Sequence, residues 1–281
     1  IVYRIKRDIS PLDESFAAPQ NETSLESALE YCALQVRTFD PDRYIIAVAA
    51  PKKFRASLFV LYAFNLEISK TRETVSEPML GRIRLQWWRE AMEGIYQRTP
   101  RNHEVVMALA FVIGNYSLSR QHFEDMIDGR EFDLEDREPE DIPELLSYAQ
   151  QTSGALLQLT AEVLTADKAA ADRIGVAWAL IGLMKAIQFH RSQQRCYLPG
   201  IPVTQIGSDK AVVVFNDIVE IAAQYLDQQA PKLDGAIGLY QWIARHDLKL
   251  LMKIKEAPFE SRPTNKAWRR CRIIFTSLLS C

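Results

Sequence analysis

Residues 61–93 read LYAFNLEISKTRETVSEPMLGRIRLQWWREAME, two helical stretches joined by a short polar link. Upstream, residues 56–64 are apolar on nearly every side of a helix, the pattern of a helix enclosed by others. Pro51 suits a first helical position, so one helix is expected from about Lys52 to Thr74. Pro78 opens another, through about Tyr96. On it Met79, Ile83, Trp87 and Ala91 form an apolar stripe at i+4 steps, with Arg82, Arg84, Arg89 and Glu90 on other faces.

The same helical periodicity extends over the rest of the chain. Thr23-Ser24-Leu25-Glu26 is a capping box, and Leu25, Ala28, Leu29, Cys32 and Val36 follow as one stripe until Asp40-Pro41-Asp42 breaks the run. Further helices are expected at about 104–115, 119–129, 143–164, 169–189, 212–227 and 238–255. Two-residue alternation and hairpin turns between β-branched runs are nearly absent. The chain therefore reads as all-α: a polar leader over 1–22 that packs poorly, then one helical domain over 23–281.

Composition narrows the function classes. With 281 residues, 48% hydrophobic and 25% charged, the chain can bury a sizeable core, and a net charge of −2 leaves no overall footprint for nucleic acid. Cys32, Cys196, Cys271 and Cys281, and His103, His122, His190 and His246, lack the spacings of a zinc site or a disulfide framework. Apolar runs fall well short of the roughly 20 residues of a membrane span. A soluble or peripheral protein is expected.

Tyr62-Ala63-Phe64 resembles the Tyr-Ala-aromatic run that precedes an aspartate-rich motif in squalene and phytoene synthases. Against that pattern Asn65 and Leu66 replace Cys-Arg, and the two motif aspartates fall on Ser69 and Glu73. The second motif resembles MKAIQFHRSQQRCYLP, in which Arg195, Tyr197, Leu198 and Pro199 match while Ala186 and His190 stand at acid positions. Gly129-Arg130-Glu131-Phe132-Asp133-Leu134, Tyr148 and Ser153-Gly154 resemble the central Gly-x-x-x-Asp-Leu and a later small pair. The departures resemble the branch that contains the assembly factor for mitochondrial respiratory complex I and its bacterial relatives. The resemblance implies a class I isoprenoid-synthase-like helical bundle around a central cavity.

Acids four apart on a helix can together grip one Mg2+ that neutralises a diphosphate, and loss of half the pair weakens such a site severely. The degenerate positions Ser69, Glu73, Ala186 and His190 therefore imply no assured catalytic group, and no cofactor is expected. His190 reads as a polar residue near a helix end. The leading expectation is support of complex I assembly through a partner subunit or an isoprenoid-like lipid. The alternative is a prenyltransferase with a modified Mg2+ site, using Tyr62, Asn65, Glu67, Arg72, Arg191, Arg195 and Tyr197 for substrate and Glu73, Asp125 and Asp128 as weak metal candidates. The acid-rich run 124–144 otherwise reads as solvated surface. Phe59, Tyr62, Phe64, Trp87, Trp88 and Met184 suit either a prenyl tunnel or ordinary core, and Gly175 and Gly182 permit close helix approach. Arg262, Lys266, Arg269, Arg270 and Arg272, interleaved with Trp268, Ile273, Ile274 and Phe275, suit an anionic membrane surface or a docked terminal helix. The expected location is cytoplasmic or membrane-peripheral in a bacterium, or the matrix side of a mitochondrion.

Overall fold

The computed structural model describes residues 22–75, 77–226, 233 and 235–260. Among these, helices and their connections make up the chain, with no strand. In order they are α1 (Glu22–Phe39), α2 (Pro41–Ala49), α3 (Lys52–Ser69), α4 (Pro78–Tyr96), α5 (Glu104–Tyr116) and α6 (Arg120–Gly129). There follow α7 (Ile142–Ala149), α8 (Ala155–Leu164), α9 (Lys168–Lys185), α10 (Ile187–Ser192), α11 (Asp209–Leu226) and α12 (Gly235–Met252). No helix among the described residues is long and apolar enough to cross a membrane. The side chains of the capping box at Thr23 and Ser24, Ser76 of the polar link, and the basic segment Arg262 to Arg272 lie outside the described residues.

α3 is the enclosed helix that its sequence implied. Leu58, Leu61, Tyr62 and Phe64 are fully buried, and α1, α2, α5 and α8 pack around it. α9 is the second axis, flanked by α8, α11 and α12. Gly175 on α9 makes the close approach expected of it: a Cβ there would lie 2.7 Å from the Gly154 Cα. Gly182 does not, since a Cβ there would meet nothing within 4 Å.

Several boundaries differ from the periodic reading, each for a local reason. Asp40-Pro41 is a helix start as well as a stop: the Asp40 side chain accepts from the Arg43 amide and Pro41 sits in the first turn, creating α2. The helix expected to reach Thr74 ends at Ser69 and continues as a 3-10 turn, Arg72–Thr74. The helix expected over 143–164 is split by a π-helical turn, Gln150–Gly154, into α7 and α8. The helix expected over 169–189 breaks at Ala186, between α9 and α10.

The i+4 stripe on α4 is only partly the buried face. Gly81, Leu85, Trp88, Ala91, Met92 and Ile95 point inward, while Met79 and Ile83 are 61% and 59% exposed. The inward set follows the other diagonal of the helix and includes Trp88 in place of Trp87. The sequence reading put Trp87 on the apolar stripe, and the structure turns the helix so that its neighbour Trp88 enters the core.

Candidate functional site

α3, the turn after α6, α7 and the loop after α10 meet at a buried polar cluster centred on Asp133. α3 contributes Asn65, which is 6% exposed. α6 ends at Gly129, and the following turn carries Arg130 and, on a 3-10 turn at Phe132–Leu134, the buried Asp133. α7 supplies Tyr148, and the loop after α10 supplies Tyr197. Arg130 Nη1 donates to Asp133 Oδ2 at 3.1 Å and to Tyr148 Oη at 2.8 Å, while Nη2 reaches Asn65 Oδ1 at 3.4 Å. The hydroxyls of Tyr148 and Tyr197 both donate to Asp133 Oδ1, at 2.9 and 2.7 Å. The His190 ring lies 4.8 Å from the Tyr197 ring.

Its electrostatics favour one fixed protonation pattern. Burial works to lower the Arg130 pKa, but Tyr148 and Asp133 outweigh it, so the guanidinium stays charged. Burial, reinforced by the Asp133 charge, raises Tyr197 well above the usual phenol range and leaves it a neutral donor. Burial lowers His190 to about 4, against the opposing charge of Asp133 and with help from Arg195. A neutral His190 is thus part of the folded state, whereas the unfolded chain takes up a proton near pH 6.5. Its contribution to stability is complete above that pH and is lost as the pH falls toward about 4. Between pH 7 and 4.5, urea midpoints of the native chain should fall more steeply than those of His190→Phe, with a ceiling of about 3 kcal/mol for the difference because the ring is only partly buried. Parallel slopes would remove His190 from the account.

The other sequence-derived positions are scattered around this cluster and engaged elsewhere. Ser69 Oγ donates to the Leu66 carbonyl at 3.1 Å, within its own helix. Glu67 accepts from Arg84 at 2.9 Å, and Arg72 pairs with Asp136 at 3.2 Å. Glu73 is exposed on the turn after α3, Ala186 caps α9, Arg191 is exposed and Arg195 half-buried. Asp125 accepts from Gln121 at 2.9 Å, and Asp128 from Arg89 at 2.6 Å. Among the described residues no group of three or more His, Cys, Asp or Glu side chains is placed to hold a metal ion. The acid-rich run is solvated at Asp128 but not at Asp133, which corrects the reading of that whole segment as surface. Arg130 was not singled out by sequence. Its signal was present in a charged residue between Gly129 and Asp133, where a helix end turns back into the bundle.

Deeper in the bundle the residues read as tunnel wall or core pack on other rings. Phe64 meets Trp88 at 5.4 Å and Phe123 at 5.5 Å, edge to face. Tyr62 packs on Tyr240 and Tyr240 on Trp178, with Arg43 5.6 Å above the Trp178 ring and paired with Asp40 at 2.7 Å. Neither Tyr62 nor Tyr240 hydroxyl, nor Arg43 Nε, has a hydrogen bond of good geometry. Arg43 escaped sequence reading because Asp40-Pro41 was taken only as a break.

The family model described as squalene/phytoene synthase matches residues 36–269. The chain belongs to that family. The squalene/phytoene synthase fold is also what solved structures resemble: a dehydrosqualene synthase with bound ligand aligns over 92% of this chain and 97% of its own, with a TM-score of 0.75 at 16% identity. Among curated relatives, the human NADH dehydrogenase (ubiquinone) complex I assembly factor 6 is 33% identical over 174 residues, 60% of this chain and 52% of that protein. The phytoene synthase of Mycobacterium tuberculosis strain H37Rv is 22% identical over 189 residues, covering 66% and 62%. The chain thus spans about half the length of the assembly factor that it matches. The cluster at Arg130 joins the turn after α6 to Asn65 of α3.

Proposed function

We propose that this chain is a squalene/phytoene-synthase-like protein whose metal-held diphosphate site has become a fixed polar joint, and that it supports respiratory complex I assembly by binding a partner subunit or an isoprenoid-like lipid. The observation that carries the reading is Asp133: a buried carboxylate between the two motif elements, already accepting from Arg130, Tyr148 and Tyr197. A Mg2+ ion there would have to displace these donors and sit beside a guanidinium that remains charged, and like charges a few ångströms apart in a partly buried site repel by several kcal/mol. Mg2+ also depends on one or two well-placed carboxylates, and Ser69 and Ala186 supply none. The assembly role comes from the relatives' name and their 33% identity.

The test is calorimetry with Mg2+ and farnesyl or geranylgeranyl diphosphate, with a diphosphate-release assay on the same sample. The expected result is no Mg2+-dependent binding and no head-to-head product. Metal-dependent release would overturn the proposal and restore the prenyltransferase reading. Metal-free binding of the diphosphate would point to Arg195, which acts electrostatically on both His190 and Tyr197, as an anion-facing group.

A further inference from the structure

The outer face of α4 carries a self-complementary pattern independent of the interior site. Arg82, Gln86 and Glu90 recur every fourth residue along one face, with Met79 and Ile83 beside them. The side chains of Arg82 and Glu90 are 53% and 50% exposed, and Ile83 is 59% exposed. Arg82, Ile83, Gln86 and Glu90 line a groove of about 420 Å³, completed by Trp87, Arg89 and Glu131. Among the described residues the ion pair of Arg82 is a long one, 3.8 Å to Glu131, whereas Glu90 pairs with Arg101 at 2.6 Å, accepts from Gln86 at 3.3 Å and keeps half its surface open.

Charge order selects the occupant. When a helix with arginine four residues before a central glutamine and glutamate four residues after it lies antiparallel on its own copy about that glutamine, each arginine faces a glutamate. The same register sets Ile83 opposite Arg89, beside Trp87, in the groove of the second molecule. An isologous two-fold contact requires this reciprocity, in which residue i meets j and j meets i. A parallel pairing in register would oppose arginine to arginine and glutamate to glutamate.

We propose that α4 is a homodimer face, with two copies of the chain packed antiparallel about Gln86 so that Arg82 of each meets Glu90 of the other and Ile83 enters the facing groove. A few turns of helix make a small interface beside the roughly 1,600 Å² of a standard one, so the dimer forms reversibly with concentration. Sedimentation equilibrium over roughly 1–100 µM at low salt should show a mass rising toward twice that of the chain. Arg82→Glu and Glu90→Arg should each weaken association at least about tenfold, and the double exchange should restore it. Both substitutions are at exposed positions, and an unchanged thermal transition checks that each of the three variants is folded. A monomer at every concentration overturns the proposal and frees the face for another partner. So does a dimer indifferent to the single exchanges, and failure of the double exchange to restore association overturns the antiparallel register.

Discussion

Arg130→Met is expected to lose about 3–5 kcal/mol of stability, because it leaves the Asp133 carboxylate buried without its counter-charge. In a chain of this size that lowers Tm by about 6–20 °C. Arg130 is 12% exposed and holds Asp133, Tyr148 and Asn65 from three different elements, so the loss extends beyond one ion pair. Removing the acid as well, in Arg130→Met with Asp133→Leu, should recover a substantial part of the loss, since a buried pair replaced by apolar groups of similar volume is often nearly neutral. A double-mutant cycle should give a coupling of at least about 1.5 kcal/mol. Additive effects of the two changes would mean that the cluster is held by its surroundings and that Arg130 is not its anchor.

Gly175→Ala should be the most damaging single methyl group that can be added to α9. The new Cβ would fall 2.7 Å from the Gly154 Cα and 2.9 Å from its amide nitrogen, with the Ser153 carbonyl closer still. These are backbone atoms of the π-helical turn, and no rotamer change can move them aside. The helices must separate, at a cost of about 3 kcal/mol after the gain in helix propensity is counted. Gly182→Ala on the same helix is the control, because nothing lies within 4 Å of its Cβ and only the propensity gain of up to about 1 kcal/mol applies. Urea denaturation of both variants decides it: equal midpoints would show that α9 does not rest on the turn.

The fold was legible because its decisive helix is apolar all round. Residues 56–64 leave no face for water, which demands a shell of other helices, and the twin-proline punctuation at Pro51 and Pro78 marks where α3 and α4 begin. The interruptions were harder to read. The breaks at Gln150–Gly154 and at Ala186 fall in stretches without proline, where tertiary contacts override a continuous helical pattern. The sequence showed departures from the family's acid motifs at Ser69 and Ala186 and a match to its central Gly-x-x-x-Asp-Leu at Asp133, but not the buried cluster that Asp133 joins. Arg130 and Asp133 sit in a run whose charge density pointed to solvent, and only the turn after α6 reveals that two of its charges face inward. The buried face of α4 was misplaced for a simpler reason: Trp87 and Trp88 are neighbours, and a rotation of one residue decides which enters the core.

The wide turn at Gln150–Gly154 also acts as a phase adjuster. A π-helical turn advances less rotation per residue than the α-helices on either side, so it fixes the angle between Tyr148, before it, and the α8 side chains after it that pack on α3 and α9. The direction in which Tyr148 points is thereby tied to the packing of α8 and α9. A change of one residue in the length of that turn would rotate the hydroxyl away from Asp133 and, in the same step, disturb the seat that Ser153 and Gly154 give to Gly175. In a fold built this way, the polar cluster and the helix packing share one register.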